Sequence, residues 1–185
     1  MRDRGGGVSI ERLSASSLDA FRTLHAGDDA WCQCVAWWVP DWDGWNARTA
    51  EENAALRQSL FDRGVHDGYL IRFDGALGGW CQAWRRSAFT KLTAQFGPAP
   101  DEQAWMIGCV LIKPPFRGKG LARQALRLVV DDLRVRGASS IDAFPKRHAG
   151  DEGELWNGPE STYLGLGFRV VKDDPKRPLL RISFL

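Results

Sequence analysis

Between Val110 and Ala122 the chain reads Val-Leu-Ile-Lys-Pro-Pro-Phe-Arg-Gly-Lys-Gly-Leu-Ala. An apolar run stops at two prolines, and a basic, glycine-bearing turn then opens into a helical pattern. The chemistry this order suits is anion binding. Glycines leave backbone N–H groups bare for close approach, and the first turn of a helix adds partial positive charge. Lys113, Arg117, Lys119 and Arg123 surround the turn with cations. The segment predicts a pocket for a phosphorylated ligand.

Three phosphate-binding patterns compete for it. The triphosphate loop G-x-x-x-x-G-K-[ST] has no match in the chain. The dinucleotide fingerprint G-x-G-x-x-G starts at Gly118 and Gly120 but meets Arg123 where its third glycine belongs. The third pattern, Arg/Gln-x-x-Gly-x-Gly/Ala, is satisfied by Arg117-Gly118-Lys119-Gly120-Leu121-Ala122. With Val110-x-Ile112-x-Pro114 upstream, the segment resembles the acetyl-coenzyme A signature of the GNAT acyltransferase superfamily. The resemblance implies that the amides of Gly118, Lys119, Gly120, Leu121 and Ala122 hold the pyrophosphate, with Arg117 opening the motif. It implies that the backbone of Val110, Leu111 and Ile112 bonds the pantetheine arm, and that Lys119 and Arg123 meet the phosphates of the nucleotide end.

Acetyl transfer from a thioester to an amine needs a deprotonated amine, a stabilised oxyanion and a proton for the departing thiolate. Tyr163-x-x-x-Gly167-Phe168 is similar to a family segment whose tyrosine often serves as the acid, and a phenol of reference pKa ~10 suits that task. Packing beside the closing strand is the alternative for Tyr163. The base is not evident. Trp105 to Ile112 carries no carboxylate, and Asp28, Asp29, Asp142 and Glu160 are candidates that surface roles explain better than base catalysis does. Water as base, or an acceptor that arrives neutral, stays open. A backbone N–H of the strand ending at Ile112 is the simplest oxyanion donor. The resemblance implies direct attack in a ternary complex, so Cys34 and Cys109 are expected to be packing thiols rather than acyl carriers.

From Trp31 to Trp45 the chain carries five tryptophans. In GNAT enzymes this region covers the acceptor site, where aromatic walls can hold a flat or cationic amine. Capping the sheet or forming a homodimer contact are the structural alternatives. Asp41 and Asp43, with Asp28 and Asp29, suit either attraction of a cation or a solvated rim. Trp31-Cys32-x-Cys34, Gly79-Trp80-Cys81 and Leu155-Trp156-x-Gly158-Pro159 resemble a bacterial GNAT group of uncertain substrate.

The bulk properties set bounds around this chemistry. At 185 residues the chain suits one domain over 8–185, preceded by a polar, frayed tail over 1–7. A net charge of +2 argues against nucleic acid, and no apolar run approaches a membrane span. Four cysteines without an export signal suggest reduced thiols in the cytoplasm. Cys32-x-Cys34 has no zinc spacing, so no metal is expected.

Periodicity then places the positioning elements. Strands are expected over Val8 to Leu13, Tyr69 to Phe73, Leu77 to Trp84, Trp105 to Ile112, Ile141 to Phe144, Phe168 to Lys172 and Leu179 to Phe184. Helices are expected from Ser16 or Ser17 to His25, from the Thr49/Glu52 capping box to Arg63, from Gly120 to Arg136 with Gly137 as its cap, and briefly before Gly167. Ser87 to Gln103 reads as a loop with one extended piece at Phe96. This order is that of the GNAT fold: an α+β, three-layer α/β/α-like domain whose mixed central sheet splays at the cofactor-binding strand. The expected activity is transfer of acetyl from acetyl-CoA to a small-molecule amine. A protein N-acetyltransferase and a non-catalytic acyl-CoA sensor are the rival readings.

Overall fold

A computed structural model describes residues 7–27, 31–147 and 156–184. Asp28, Asp29, Leu155 and nearly all of the expected N-terminal tail lie outside the described residues.

A seven-stranded sheet runs in the order β1-β2-β3-β4-β5-β7-β6. Its strands are β1 (Val8–Arg12), β2 (Gly68–Phe73), β3 (Ala76–Arg85), β4 (Ala104–Ile112), β5 (Ser140–Ala143), β6 (Arg169–Lys172) and β7 (Leu179–Ser183). Among the seven described strands, β4 and β5 alone pair in parallel. A parallel neighbour needs a crossover, and α5 (Leu121–Val135) supplies it. Its apolar stripe, Ala125, Leu126, Val129, Val130 and Leu133, buries against Tyr69, Ile71, Ile107 and Ile141 on one face of the sheet. The opposite face is covered by α1 (Leu18–Leu24), α2 (Trp42–Asn46), α3 (Ala50–Asp62) and α4 (Thr90–Phe96). There Phe21, Phe61 and Trp80 form one cluster, and Trp37, Phe89, Met106 and Phe144 another. The short α6 (Glu160–Leu164) precedes the last two strands.

Two features of β4 open the sheet. It pairs with β5 only through Ala104–Ile107 and then parts from it. Against β3, Gln82 pairs with Cys109 and Ala83 with Ile107, so Gly108 is the extra residue of a bulge. A side chain at Gly108 would run into Met106, Gln82 and Trp37, so any larger residue there forces its neighbours to shift.

Most expected elements are present, including the Thr49/Glu52 capping box and the hairpin at Asp74-Gly75. Within the stretch expected as loop, Thr90–Phe96 forms α4, and Phe96, expected as extended, is its last residue. Its N-cap position is Phe89, which offers no capping oxygen, and Lys91 occupies a buried position of the helix. Its sequence therefore carries neither a start signal nor an apolar period. Ser17 precedes α1 without a side-chain cap bond, its hydroxyl facing back to Ser14. Asp41 is an exposed helix cap, its Oδ1 accepting from the Gly44 N–H at 2.6 Å.

The covering layer is tied to the sheet by a buried ion pair. Arg57 of α3 and Asp67, just before β2, meet at 2.6 Å with side chains 3% and 0% exposed. Trp38 Nε1 and Gln82 Nε2 both donate to the second Asp67 oxygen at 2.7 Å. Arg57 also donates to the carbonyls of Gln33 and Cys34. A buried charge left without its partner is strongly unfavourable. Asp67→Ala is expected to lower unfolding stability in urea by about 3–5 kcal/mol, whereas the same change at exposed Glu102 should stay within about 0.5 kcal/mol.

Lys91 gives a pH signature to the same layer. Its ammonium donates to the Ala36 carbonyl and sits 4.0 Å from the Trp42 ring centre. Burial pulls its pKa down to about 8. Between about 8 and the ordinary lysine value of 10.5 the unfolded chain holds the proton that the folded chain has released. Stability therefore rises with pH across that window. Urea titrations should show this rise in the native protein and its loss in Lys91→Met.

Candidate functional site

The parting of β4 from β5 opens a cleft, and the segment from Trp156 to Pro159 runs along it. Val110 N–H donates to the Trp156 carbonyl at 2.7 Å. Asn157, fully buried, donates from Nδ2 to the Gly108 carbonyl and accepts at Oδ1 from Arg177. Trp37 Nε1 donates to the same Gly108 carbonyl at 2.9 Å. The bulge thus presents one carbonyl that pins both an upstream tryptophan and a downstream asparagine.

Two cavities lie along β4. The first, of about 380 Å³, has Val110, Leu111 and Ile112 on one side and Arg117, Gly118, Gly120, Leu121 and Ala122 at its mouth. Gly118 and Gly120 have φ of 72° and 70°, the left-handed region that side chains disfavour. Gly120 is the N-cap of α5, so the first turn of that helix, whose amides have no intrahelical partner, lies on the cavity wall with Leu121 and Ala122. Arg117 Nε donates to the Ile112 carbonyl at 2.7 Å, tying the turn to the end of β4. Lys119 and Arg123 are not on the cavity wall. The Lys119 ammonium bonds the Pro115 carbonyl, and Arg123 bonds the Gly165 carbonyl.

The second cavity, of about 530 Å³, is the tryptophan-rich one. Trp31, Trp37, Trp42, Trp45 and Trp156 wall it, with Gln82, Gln95 and Arg177 as polar points. The tryptophan-rich segment is therefore a cavity wall, and it also packs as core: Trp37 is 1% exposed. The two cavities share Cys32, Cys34, Cys109 and Trp156. Among the described residues, no carboxylate lines either one.

The structure sorts the proton-transfer candidates. Asp142 is fully buried and holds Arg181 at 2.6 and 2.9 Å, with Arg86 3.4 Å away. Glu160 pairs with Arg147 through both oxygens. Both are structural ion pairs, not bases at a cavity. Tyr163 is fully buried, and burial pushes its pKa well up. Its hydroxyl donates to the Asn157 carbonyl at 2.6 Å. The wall residue over it is Gly158, which has no side chain; a methyl placed there would lie 3.7 Å from the phenol oxygen.

Residues that sequence reasoning passes over also stand here. His25, in sequence only a helix end, lies on the first cavity with Nε2 3.3 Å from Cys34 Sγ. Asn157 and Arg57 organise the walls from behind, and Gln82 lines the second cavity itself. No spacing rule announces them, because their partners lie on other elements.

A sequence model described as the acetyltransferase (GNAT) family matches residues 31–150. No curated protein sequence matches the chain. Among solved structures, the aminoglycoside acetyltransferase AAC(6')-Ib in complex with coenzyme A superposes with a TM-score of 0.59 at 17% identity, covering 96% of this chain and 95% of that one. A GNAT family acetyltransferase from Brucella melitensis in complex with acetyl-CoA has a TM-score of 0.53 at 14% identity, covering 97% and 89%. The PaiA N-acetyltransferase from Thermoplasma acidophilum in complex with coenzyme A has 0.51 at 12%, covering 96% and 99%. At these identities the superpositions speak for the fold, and the family match extends over more than half of the chain. The chain belongs to the GNAT acetyltransferase family and is an acyltransferase.

Proposed function

We propose that this protein is an acetyl-CoA-dependent N-acetyltransferase that moves acetyl to the amine of a small molecule by direct attack within a ternary complex. The observation that carries this reading is the junction of the two cavities. A channel that starts at a bare helix N-terminus ends where a half-closed aromatic chamber begins. Coenzyme A fits the first by chemistry: left-handed glycines and helix amides suit a pyrophosphate, and the parted strand suits an amide-bearing arm. Lys119 and Arg123 stand next to this mouth in sequence, and a change of rotamer from their present carbonyl partners is what phosphate contact requires of them. When bound, the thioester supplies the activated acetyl group.

The chain's own residues hold and aim the reactants. Trp31, Trp37, Trp42, Trp45 and Trp156 offer flat faces to an amine and exclude water from it. The chamber's volume, about 530 Å³, suits a small acceptor. Tyr163 is the acid for the departing thiolate in this reading, which requires its hydroxyl to turn from the Asn157 carbonyl toward the cavity beside Gly158. With Asp142 and Glu160 committed to arginines, water or an acceptor already neutral serves at the amine.

Calorimetry with coenzyme A and acetyl-CoA tests the donor site. Saturable binding is expected, and its absence removes the reading. Gly120→Val forces a branched side chain into the left-handed region, at a cost of about 1–2 kcal/mol, and blocks backbone approach. It should weaken coenzyme A at least about tenfold, with circular dichroism confirming the fold. Thiol release with a panel of small amines tests the transfer. Tyr163→Phe should lower kcat about a hundredfold or more while leaving the KM for acetyl-CoA near its native value. Unchanged turnover would remove Tyr163 from the mechanism, and binding without turnover on any amine would leave an acyl-CoA sensor.

A further inference from the structure

Cys34 stands where the two cavities meet, and three features set it apart from a packing thiol. The first is its partner. His25 Nε2 lies 3.3 Å from Cys34 Sγ, and His25 Nδ1 lies 3.0 Å from the Phe21 carbonyl oxygen. A carbonyl only accepts, so Nδ1 carries the proton of that bond. In the neutral ring Nε2 then presents its lone pair to the sulfur. The ring is fixed by stacking on Phe21 at 4.0 Å and by the edge of Trp80 at 5.8 Å. Nucleophile, base and a third group that orients the base are all in place.

The second feature is the backbone. Gln33 and Cys34 have φ of 45° and 50°, a conformation that costs residues with side chains free energy and survives only where the surroundings enforce it. The enforcement is visible. Arg57 donates to both carbonyls at 2.9 and 2.8 Å, and Gln82 Nε2 donates to that of Cys34 at 2.8 Å. Asp67 in turn anchors Arg57 and Gln82. The third feature is position. Cys34 lines the donor channel and the acceptor chamber alike.

We propose that Cys34, with His25 as its base, accepts an acetyl group from acetyl-CoA when the chamber holds no amine, giving an acetyl-thioester enzyme; this rests on the donor-site reading above. In the step Cys34 Sγ passes its proton to His25 Nε2 and attacks the thioester carbonyl. A sulfur–carbon bond to Cys34 forms as the one to coenzyme A breaks, and His25 returns the proton to the departing thiolate. One thioester replaces another, so no oxidant or further reactant is needed. At rest Cys34 donates its S–H to the Cys109 sulfur, 3.4 Å away, and that bond together with burial raises the thiol's pKa; the S–H turns to His25 Nε2 as attack on an electrophile begins. Cys109 shares the junction, but the imidazole contact is made by Cys34.

The test uses the whole native chain with a phosphine reductant and acetyl-CoA but no amine. Intact-mass spectrometry should show the gain of one acetyl group, and peptide mapping should place it on Cys34. Excess coenzyme A should remove the group, as thioester exchange requires. His25→Gln should slow labelling at least about a hundredfold, Cys34→Ala should abolish it, and Cys81→Ser should keep it. As a readout free of acetyl-CoA, iodoacetamide should alkylate Cys34 faster in the native protein than in His25→Gln, and saturating coenzyme A should protect it. An unmodified chain under conditions where calorimetry shows acetyl-CoA bound overturns the proposal while sparing the donor site. Acetyl on Cys109, or on a lysine where coenzyme A cannot remove it, overturns it as well. Absence of acetyl-CoA binding instead overturns the donor-site reading on which it rests.

Discussion

The site depends on β4 leaving β5 after Ile107. A strand that parts from its neighbour exposes backbone groups that must find other partners or remain costly to bury. Here the segment from Trp156 to Pro159 takes up part of the exposed edge, through the bond from Val110 N–H to the Trp156 carbonyl. The bulge at Gly108 makes the departure possible by adding one residue to β4 relative to β3. Its carbonyl then serves Trp37 and Asn157 together, so one backbone atom joins the aromatic layer, the cleft and the segment leading to Tyr163.

Around that opening the protein divides its labour between the two faces of the sheet. On one face α5 packs a regular apolar stripe and offers its N-terminus at the cavity mouth. On the other, short helices and irregular turns carry large aromatic residues and a few buried charges. Such a layer has little regular hydrogen bonding of its own, and the Arg57–Asp67 pair compensates by bonding Gln33, Cys34, Trp38 and Gln82 at once. Removing either partner would release both the fold's covering layer and the left-handed turn at Cys34. Stability and site geometry are therefore coupled through one ion pair.

Legibility in the sequence tracks the range of the interactions. α5 is readable because its period and the glycines bounding it are local. The capping box at Thr49 and the turn at Asp74-Gly75 are readable for the same reason. α4 is not, because a lysine fills a buried position where an apolar residue would have completed the pattern, and the lysine's compensation comes from Ala36 and Trp42. Asp142 and Glu160 look like candidate bases because a carboxylate in a sequence carries no sign of its partner. Their arginines, 39 and 13 residues away, arrive only with the fold.

The sequence by itself determined the family, the order of the strands and the glycine turn between Arg117 and Ala122, since each rests on neighbours within a few residues. It also showed an apolar β4 without a carboxylate and a tryptophan-rich segment of undecided use. Only the tertiary structure decided that those tryptophans wall a chamber, that Tyr163 sits beneath Gly158, and that His25 meets Cys34 where the two cavities join. Those outcomes depend on contacts between α1, the turn at Gln33-Cys34, β3 and the parted end of β4. Segments far apart in the chain are brought together there by burial, and burial is a property of the folded whole.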